Sequence, residues 1–149
     1  MKLNLGSCDR AFPGFVSVDL CLPADQIVNL AGPWPWEDSS IEEIRAYDII
    51  EHLPDKIHTM NEAWRVLRPG TLFDIEVPTT DGMGAWQDPT HVSYWNRNSF
   101  LYYTHGDAHR ERFGLHYGVV ARFRVASEEH VRFGDGVVKL KIKLEAVKR

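Results

Sequence analysis

A glycine turn and an acidic residue in the first twenty positions have the spacing of a cofactor site. Gly6 lies between two short apolar runs, at 3–5 and 15–18, and Asp19 follows the second run. Because glycine has no side chain, the backbone can pass closely beneath a ligand, and a carboxylate just past a strand can accept hydrogen bonds from a ribose diol. Either feature alone is common, and an ordinary turn is then the simpler interpretation of the glycine. Together they predict a nucleotide-type cofactor at the edge of a parallel sheet.

A second group of reactive side chains lies in a loop at 79–95. The loop combines hinge glycines with aromatic residues, including Trp86 and Trp95, and with the titratable residues Asp88 and His91. Histidine changes charge near neutral pH, so it can exchange protons with a substrate. The two tryptophans could stack on a substrate or anchor the loop, and we expect anchoring for one of them. The loop is therefore the candidate substrate site.

Short alternating elements must hold these residues in place. Apolar and β-branched runs that are bounded by turn residues predict strands. The predicted strands are 2–5, 15–18, 44–50 and 72–77, with a short apolar segment at 26–30. In open parallel sheets, ligands bind outside the carboxyl ends of the strands. We therefore expect the glycine turn, Asp19, Asp48 and the loop after the fourth strand to converge on one site.

One helix is well defined by its pattern, and it separates the last two of these strands. Pro54 lies near its first turn, and Pro69 with Gly70 ends it. Its apolar positions recur at helical spacing and are Ile57, Met60, Trp64 and Leu67. A strand, a helix and a strand in succession predict parallel strands joined by a right-handed crossover.

The end of the chain has a different pattern. Residues 99–103 can form a short helix, and two long alternating runs, 120–133 and 137–147, are joined through a turn at 134–136. Such runs predict a β-hairpin. The whole chain, 1–149, therefore predicts a single α/β domain with a mostly parallel sheet and an antiparallel C-terminal hairpin strand.

Five segments of the first half carry a family resemblance: 3–8, 13–20, 34–44, 48–53 and 62–72. In this order they resemble the class I methyltransferases that use S-adenosylmethionine, over a match from about Leu3 to Val77. In that family, the segment before the fourth strand commonly has the sequence Leu-Pro-Phe, an acid and Asn-Ser, and residues 35–40 stand in its place here. The family's segment after that strand commonly has the sequence Glu-His-Leu, which is the sequence of residues 51–53. The tail hairpin resembles the family's antiparallel seventh strand. The resemblance implies a Rossmann-like methyltransferase fold, methyltransferase activity and S-adenosyl-L-methionine as the cofactor.

The same resemblance implies which residues contact that cofactor. They are Gly6, Ser7 and Cys8 at its amino-acid end, Asp19 at the ribose hydroxyls, Asn29 and Leu30 beside the adenine, and Tyr47 and Asp48 under the methionine portion, with Leu20 and His52 also assigned to the site. Glu51 and His52 are expected to begin the next helix. There the Glu51 carboxylate could stabilise free backbone amides of the first turn or face the sulphonium.

The chain departs from the family pattern at three places. Cys8 stands where a second glycine is usual, and Asn4 replaces an acid that is often found in the first motif. The span from Gly6 to Phe15 contains Pro13 and Gly14 and is too short for the family's first helix. These departures predict a compact, lidless variant in which another chain, a second copy or the chain's own loop covers the cofactor.

The substrate loop follows the strand whose end would face the methyl group. Residues 88–91 resemble a segment of methyltransferases that act on sugars and related small molecules, so the expected acceptor is a hydroxyl of a small molecule or glycan. Methylation at oxygen needs positioning and a base, and His91 suits the role of base with Asp88 orienting it. A histidine after Pro-Thr can equally fix the loop through a hydrogen bond.

Two other functions remain open at this point. The fold could serve as a catalytically silent binding module, which the departures at Cys8 and in the lid favour. A nicotinamide-dependent oxidoreductase is the weaker alternative. Its dinucleotide site requires a complete Gly-x-Gly-x-x-Gly turn at the start of a helix. Here Gly6 is followed by Cys8 and then by Pro13.

The remaining histidines raise the question of a metal. His105 and His109 have the spacing of two ligands on one helix face, with Asp107 between them and His116 further along. Gly106 interrupts the helix, and no third ligand follows at a usual interval. We therefore expect a solvated loop here and no metal.

Composition narrows the class of protein. With 149 residues, 44% apolar and 26% charged, the chain has the composition of one soluble globular domain, without an apolar run that could cross a bilayer. A net charge of -4 argues against nucleic acid as the main partner. The chain starts in a core strand, which predicts no signal peptide and a cytoplasmic location. Cys8 and Cys21 are expected to be free thiols.

Overall fold

The computed structural model describes all residues from 1 to 149 and contains one seven-stranded sheet. Its strand order is β3-β2-β1-β4-β5-β7-β6. The first five strands are parallel to one another, whereas β7 runs antiparallel to both β5 and β6. The strands are β1 Lys2–Leu5, β2 Val16–Asp19, β3 Gln26–Ile27, β4 Ile41–Tyr47, β5 Leu67–Pro78, β6 Phe123–Arg132 and β7 Val138–Ala146. The predicted α/β class with a mostly parallel sheet and an antiparallel C-terminal hairpin is confirmed.

The strand β4 begins and ends earlier than the sequence predicts. It ends at Tyr47, because Asp48 has a left-handed backbone with φ of 55° that cannot continue an extended strand. The next residues form a separate single turn of 3-10 helix, Ile50–His52. Glu51 and His52 therefore lie in this turn, not at the start of the main helix as predicted.

The main helix, α1, spans Lys56–Val66. Asp55 caps its first turn by accepting a hydrogen bond from the His58 amide, as aspartate commonly does at this position. Leu67 already has extended backbone and is the first residue of β5, so it is not the last helical residue that its spacing suggested. The parallel β4-α1-β5 unit is the predicted one.

The sheet has one apolar and one charged face, which alternate along each central strand. On the apolar face, the register aligns Ile44, Phe73 and Leu144 in one row and Ala46, Ile75 and Ile142 in the next, all within the buried core. The opposite face, called here the polar face, aligns Arg45, Asp74 and Lys143 in one row and Tyr47, Glu76 and Lys141 in the next.

The connections between the first three strands contain no helix. This confirms the expectation that the first helix is missing. Helix α1 and the buried tryptophans Trp34 and Trp36 belong to the core of the apolar face. On the polar face, Lys141 is exposed, and cross-strand pairs of opposite charge replace helix packing.

The segment after β5 contains several short helical turns. They are α2 Gly84–Gln87, a 3-10 helix at Arg97–Tyr103, and a π-helical turn at Arg110–Gly114 that continues into α3 Leu115–Tyr117. The segment around His105 and His109 is largely exposed, as predicted, but from position 108 it is helical and not a loop. The reason is Arg110, whose buried guanidinium donates through Nε to the Ala121 carbonyl at 2.7 Å and ties the turn to the core. None of the helices has the length and apolar character that a bilayer crossing requires.

Candidate functional site

The turn after β1 brings Gly6 against the start of the next crossover. Gly6 has a left-handed backbone with φ of 63°, and a Cβ atom at this position would lie 2.6 Å from the Cβ and Cγ1 atoms of Ile49. Glycine is therefore required here both by the backbone conformation and by the close packing of Ile49. The turn is fixed by packing within the chain before any ligand is considered.

Asp19 ends β2 with both carboxylate oxygens directed at backbone amides. Its Oδ2 accepts from the Cys8 amide at 2.5 Å and its Oδ1 from the Leu20 amide at 2.7 Å. Each carboxylate oxygen has a further lone pair, so the group can still accept from hydroxyls of a ligand. Cys8 itself has a left-handed backbone with φ of 51°, which is the conformation that glycine adopts most easily.

A small cavity of about 90 Å³ lies at the ends of β1, β2 and β3. Its walls are apolar except for Asp19 and two further polar side chains, which suits a ligand with a ring system and a diol. Six of the predicted cofactor residues line it, namely Gly6, Asp19, Leu20, Asn29, Leu30 and His52, together with Val28, Ile49 and Leu53. The cavity is smaller than the roughly 300–1,000 Å³ of ordinary ligand pockets, so a whole nucleotide-type cofactor would extend beyond it.

Other predicted cofactor residues lie elsewhere. Ser7 and Tyr47 line a separate cavity of about 70 Å³ on the polar face. There the Tyr47 hydroxyl donates to Asp74 Oδ2 at 2.9 Å, and burial, reinforced by this carboxylate, raises the pKa of Tyr47 to about 12. The Ser7 hydroxyl is buried and has no hydrogen-bond partner. Cys8 lines neither cavity and contributes through its amide to Asp19.

A larger cavity of about 410 Å³ opens beside the first one, at the ends of β4 and β5. His52 lines both cavities, so they share a wall. The predicted residues Asp48, Asp88 and His91 all line the larger cavity. Lys139 reaches in from β7 and pairs with Asp48 at 2.8 Å. The structure therefore brings the predicted substrate residues next to the predicted cofactor residues.

His91 is held in this cavity by its neighbour Ala85. Its Nδ1 lies 3.0 Å from the Ala85 carbonyl, and since a carbonyl can only accept, the proton is on Nδ1. The free Nε2 lies 3.6 Å from Asp88 Oδ2 and 3.9 Å from Glu51 Oε1. Asp88 thus faces the nitrogen that would react, and the carbonyl, not Asp88, orients the ring.

Asp88 is fixed by Thr90. Its Oδ1 accepts from the Thr90 hydroxyl at 2.7 Å and from the Thr90 amide at 2.8 Å. These hydrogen bonds hold the pKa of Asp88 below its usual range, so the carboxylate is charged at neutral pH. It places a negative charge at the mouth of the cavity, beside His91.

Glu51 is a site residue to which the sequence assigned no firm role. Its side chain is 2% exposed, and its Oε2 has no hydrogen-bond partner. Burial raises the pKa of Glu51 to about 7. The loop reaches it through main-chain bonds, as the amides of Val92 and Ser93 donate to the Glu51 carbonyl at 2.9 and 3.1 Å. In the sequence, the Glu-His-Leu segment is the only indication that Glu51 belongs to the site. Its proximity to His91 is visible only in the folded structure.

No protein-family model matches the chain, and no curated protein matches it in sequence. Solved structures do match it in fold. A SAM-dependent methyltransferase from Methanosarcina mazei has a TM-score of 0.67 at 12% identity, over 99% of this chain and 92% of that one. A proposed methyltransferase of Haloferax volcanii, in complex with the Trm112 methyltransferase activator, has a TM-score of 0.66 at 14% identity, over 99% and 82% of the two chains. The chain has the class I methyltransferase fold.

A third match limits what this fold implies about chemistry. The [4+2]-cyclase SpnF has a TM-score of 0.68 at 9% identity, over 99% of this chain and 74% of that one. The methyltransferase fold therefore also occurs in a cyclase. Function has to be argued from the site of this chain.

Aromatic residues of the substrate loop divide as the sequence predicted. Trp95 is fully buried in the core and donates through Nε1 to the Ser93 hydroxyl at 3.0 Å. It therefore anchors the loop to the core. Trp86 is 60% exposed and stacks on Tyr94 with ring centroids 4.7 Å apart. This pair forms an exposed aromatic surface in the same turn as Gln87, which lines the larger cavity.

Proposed function

We propose that the protein is an S-adenosylmethionine-dependent methyltransferase that acts on a hydroxyl group of a small molecule or glycan. The observation that carries the proposal is the wall that His52 forms between two cavities. One cavity holds Asp19, the acid proposed to contact the ribose, and the other holds His91, whose Nδ1 donates to the Ala85 carbonyl and whose Nε2 makes no hydrogen bond. A methyl donor and a hydroxyl acceptor would meet at this wall.

The cofactor side fits an adenosine. Asp19 offers free lone pairs for a diol, and Leu20 with Leu30 offers apolar surface for a purine. The M. mazei neighbour is SAM-dependent, in agreement with this assignment. When bound, the cofactor would supply an electrophilic methyl group on a sulphonium.

The acceptor side supplies a base. Because Nδ1 of His91 donates to Ala85, the lone pair is on Nε2 and can take the proton of an acceptor hydroxyl. The Asp88 carboxylate, 3.6 Å from Nε2, would stabilise the resulting imidazolium. The exposed pair of Trp86 and Tyr94 offers a stacking surface for a sugar or aromatic ring beside the cavity.

A covering chain is part of the proposal. Leu20, which lines the cofactor cavity, is 66% exposed, and Leu22, two residues further along the chain, is 80% exposed. No helix follows β1 or β2 that could cover this cavity. A second copy or a partner would close it, and the H. volcanii neighbour is an example of a protein with this fold held by an activator. Light scattering with and without S-adenosylhomocysteine measures whether a second copy does so.

The first experiment is calorimetric titration with S-adenosylmethionine and S-adenosylhomocysteine. We expect both to bind the native chain, and Asp19→Ala to weaken binding by about tenfold or more through the loss of charge-assisted hydrogen bonds. Asp9→Ala is the matched control, because it removes an exposed carboxylate of the neighbouring loop. Since Asp19 also holds the Cys8 amide, circular dichroism must show that the variant is folded. Native protein that binds neither compound would exclude the proposal.

The second experiment addresses the transfer step. In a screen of sugars and small hydroxylated acceptors, His91→Gln should lower kcat by roughly a hundredfold, because general bases contribute factors of about 10² to 10⁴. Binding of S-adenosylhomocysteine should be unchanged, since His91 does not line the smaller cavity. Loss of both properties together would point to a structural role of the histidine.

A silent binding module is the second candidate. The smaller cavity of about 90 Å³ favours it, as does the cyclase with the same fold. Tight binding of the cofactor without methyl transfer to any acceptor class would select this function.

A further inference from the structure

Three side chains at the shared wall, Glu51, His52 and His91, bring atoms of the metal-ligating kind close together. The Nδ1 atom of His52 lies 3.2 Å from the Thr90 carbonyl and 3.1 Å from the Thr90 hydroxyl, which itself donates to Asp88. The carbonyl can only accept, so the proton of His52 is on Nδ1, as it is in His91. The Nε2 atom of each histidine is therefore the one that is not bound to a carbonyl. These two atoms lie 3.8 and 3.9 Å from Glu51 Oε1.

No hydrogen bond links the three groups. The separations of 3.8 and 3.9 Å exceed hydrogen-bond range, and Glu51 Oε2 is buried without any partner. The side chains of Glu51 and His91 are 2% and 7% exposed, whereas that of His52 is 31% exposed and borders the larger cavity. Three side chains of the metal-ligating kind therefore face one another without a hydrogen bond between them, and a bound cation would satisfy the partnerless Glu51 oxygen.

We propose that Glu51, His52 and His91 bind a divalent first-row transition-metal ion, with Zn²⁺ as the reference ion. Their ligand atoms all lie within 4.8 Å of one another. Bonds of roughly 2.0–2.2 Å to a central ion would place these atoms roughly 3.3–3.6 Å apart, so the side chains would close on the ion by up to about 1 Å. Two imidazoles and one carboxylate are a donor set that suits such ions and leaves positions open.

The surroundings of the two histidines support a metal site. Metal-binding histidines usually donate their second ring nitrogen to a carbonyl or carboxylate, which fixes the ring and raises its basicity. His52 does so to Thr90 and His91 does so to Ala85. Asp88, whose Oδ2 lies 3.6 Å from the Nε2 of His91, lies outside this cluster and could accept a hydrogen bond from a metal-bound water.

The open positions of the ion would face the cavity of about 410 Å³. This consequence rests on the proposed function: an acceptor hydroxyl bound to the ion would lose its proton to water more easily, as metal-bound water does. In that case His91 would be a metal ligand and not the base. The ion would activate the acceptor hydroxyl in its place. The acceptors expected are hydroxylated molecules with a second oxygen that can chelate.

The test is titration of tag-free, chelator-treated protein with ZnCl₂ and with CoCl₂, without cofactor or acceptor. Because Cys8 and Cys21 are exposed thiols that could bind either ion, the titration uses the Cys8→Ser/Cys21→Ser protein. We expect one equivalent to bind and Co²⁺ to give visible absorption bands without thiolate charge transfer. Each of Glu51→Gln, His52→Ala and His91→Ala should weaken binding by about tenfold or more.

His109→Ala is the matched control. His109 is an exposed histidine that pairs with Asp107 at 3.0 Å, outside the cluster, so its loss should change the affinity by less than about twofold. Near-ultraviolet circular dichroism verifies that each variant keeps its tertiary structure. Equal binding by the native and His91→Ala proteins, or no binding by the folded native protein, would overturn the metal site. Metal binding in a protein that does not bind S-adenosylhomocysteine would leave the site standing and reject the methyltransferase.

Discussion

At the scale of single residues, position 8 carries a backbone conformation that its side chain does not favour. Cys8 has φ of 51° and an exposed side chain. Cysteine in this region costs about 1–2 kcal/mol, and glycine costs roughly 0.5–1 kcal/mol through the entropy of the unfolded chain. We predict that Cys8→Gly raises the free energy of unfolding by about 0.5 kcal/mol. Urea denaturation measures the change.

A substitution at position 6 should change the free energy of unfolding in the opposite direction, so it serves as the control. Gly6 has a similar left-handed φ of 63°, but an added Cβ would also lie 2.6 Å from the side chain of Ile49. Gly6→Ala should therefore destabilise the protein by about 2 kcal/mol or more, because overpacking adds to the backbone cost. If Cys8→Gly lost stability as well, the turn would owe its shape to the cysteine side chain and not to the backbone.

At the scale of elements, α1 holds the connection before β4 through two of its charged residues, Arg65 and Glu62. Arg65 donates to Asp38 at 2.7 Å and to the carbonyls of Trp36 and Trp34 at 2.9 and 3.1 Å. Glu62 accepts from Arg65 Nε at 2.7 Å and from the Trp34 amide at 2.7 Å. The two tryptophans are buried, so this pair fixes a part of the core that has no regular secondary structure.

We predict that Glu62→Gln lowers the free energy of unfolding at pH 7 by about 1–3 kcal/mol, since it removes charge-assisted hydrogen bonds. The hydrogen bond from Arg65 holds the pKa of Glu62 below its ordinary value of 4.5. The folded pKa is therefore the lower one, and the contribution is full above pH 4.5 and lost as the pH falls through the folded value. Denaturation curves of both proteins at pH 7 and at pH 3 should converge at the lower pH.

The exposed pair of Arg68 and Glu42, 3.0 Å apart, provides the control for this prediction. Its side chains are 49% and 43% exposed, and surface pairs of this kind contribute about 0–1 kcal/mol. Glu42→Gln should therefore change stability little at either pH. An equal effect of both substitutions would mean that net charge, and not the contact with the tryptophans, determines the result.

Helices and strands with a clear hydrophobic periodicity could be predicted from the sequence. The contact between His91 and Glu51 in the site could not. The repeat of Ile57, Met60 and Trp64 predicted α1, and alternation predicted the hairpin of β6 and β7. The meeting of His91 with Glu51 depends on how the loop after β5 docks on a single helical turn, which leaves no periodic signal.

At the scale of the whole molecule, the sheet is stabilised from one side. Parallel sheets are usually covered on both faces, and their strands are then apolar throughout. Here the strands alternate, and the polar face pairs Asp74 with Lys143 and Glu76 with Lys141 across β5 and β7. All the large buried side chains of the sheet, such as Phe73, therefore lie in the single core of the apolar face.

Adjacent residues of β7 test this one-sided arrangement. Ile142 is fully buried opposite Ile75, and Lys141 is exposed opposite Glu76. Ile142→Ala should cost about 2–5 kcal/mol, a large part of the roughly 5–15 kcal/mol by which domains are stable. Lys141→Ala should stay within about 0.5 kcal/mol, because it removes no packed contact. Guanidinium denaturation compares the two, and a cost for Lys141→Ala near that of Ile142→Ala would mean that the polar face is covered in solution by a second chain.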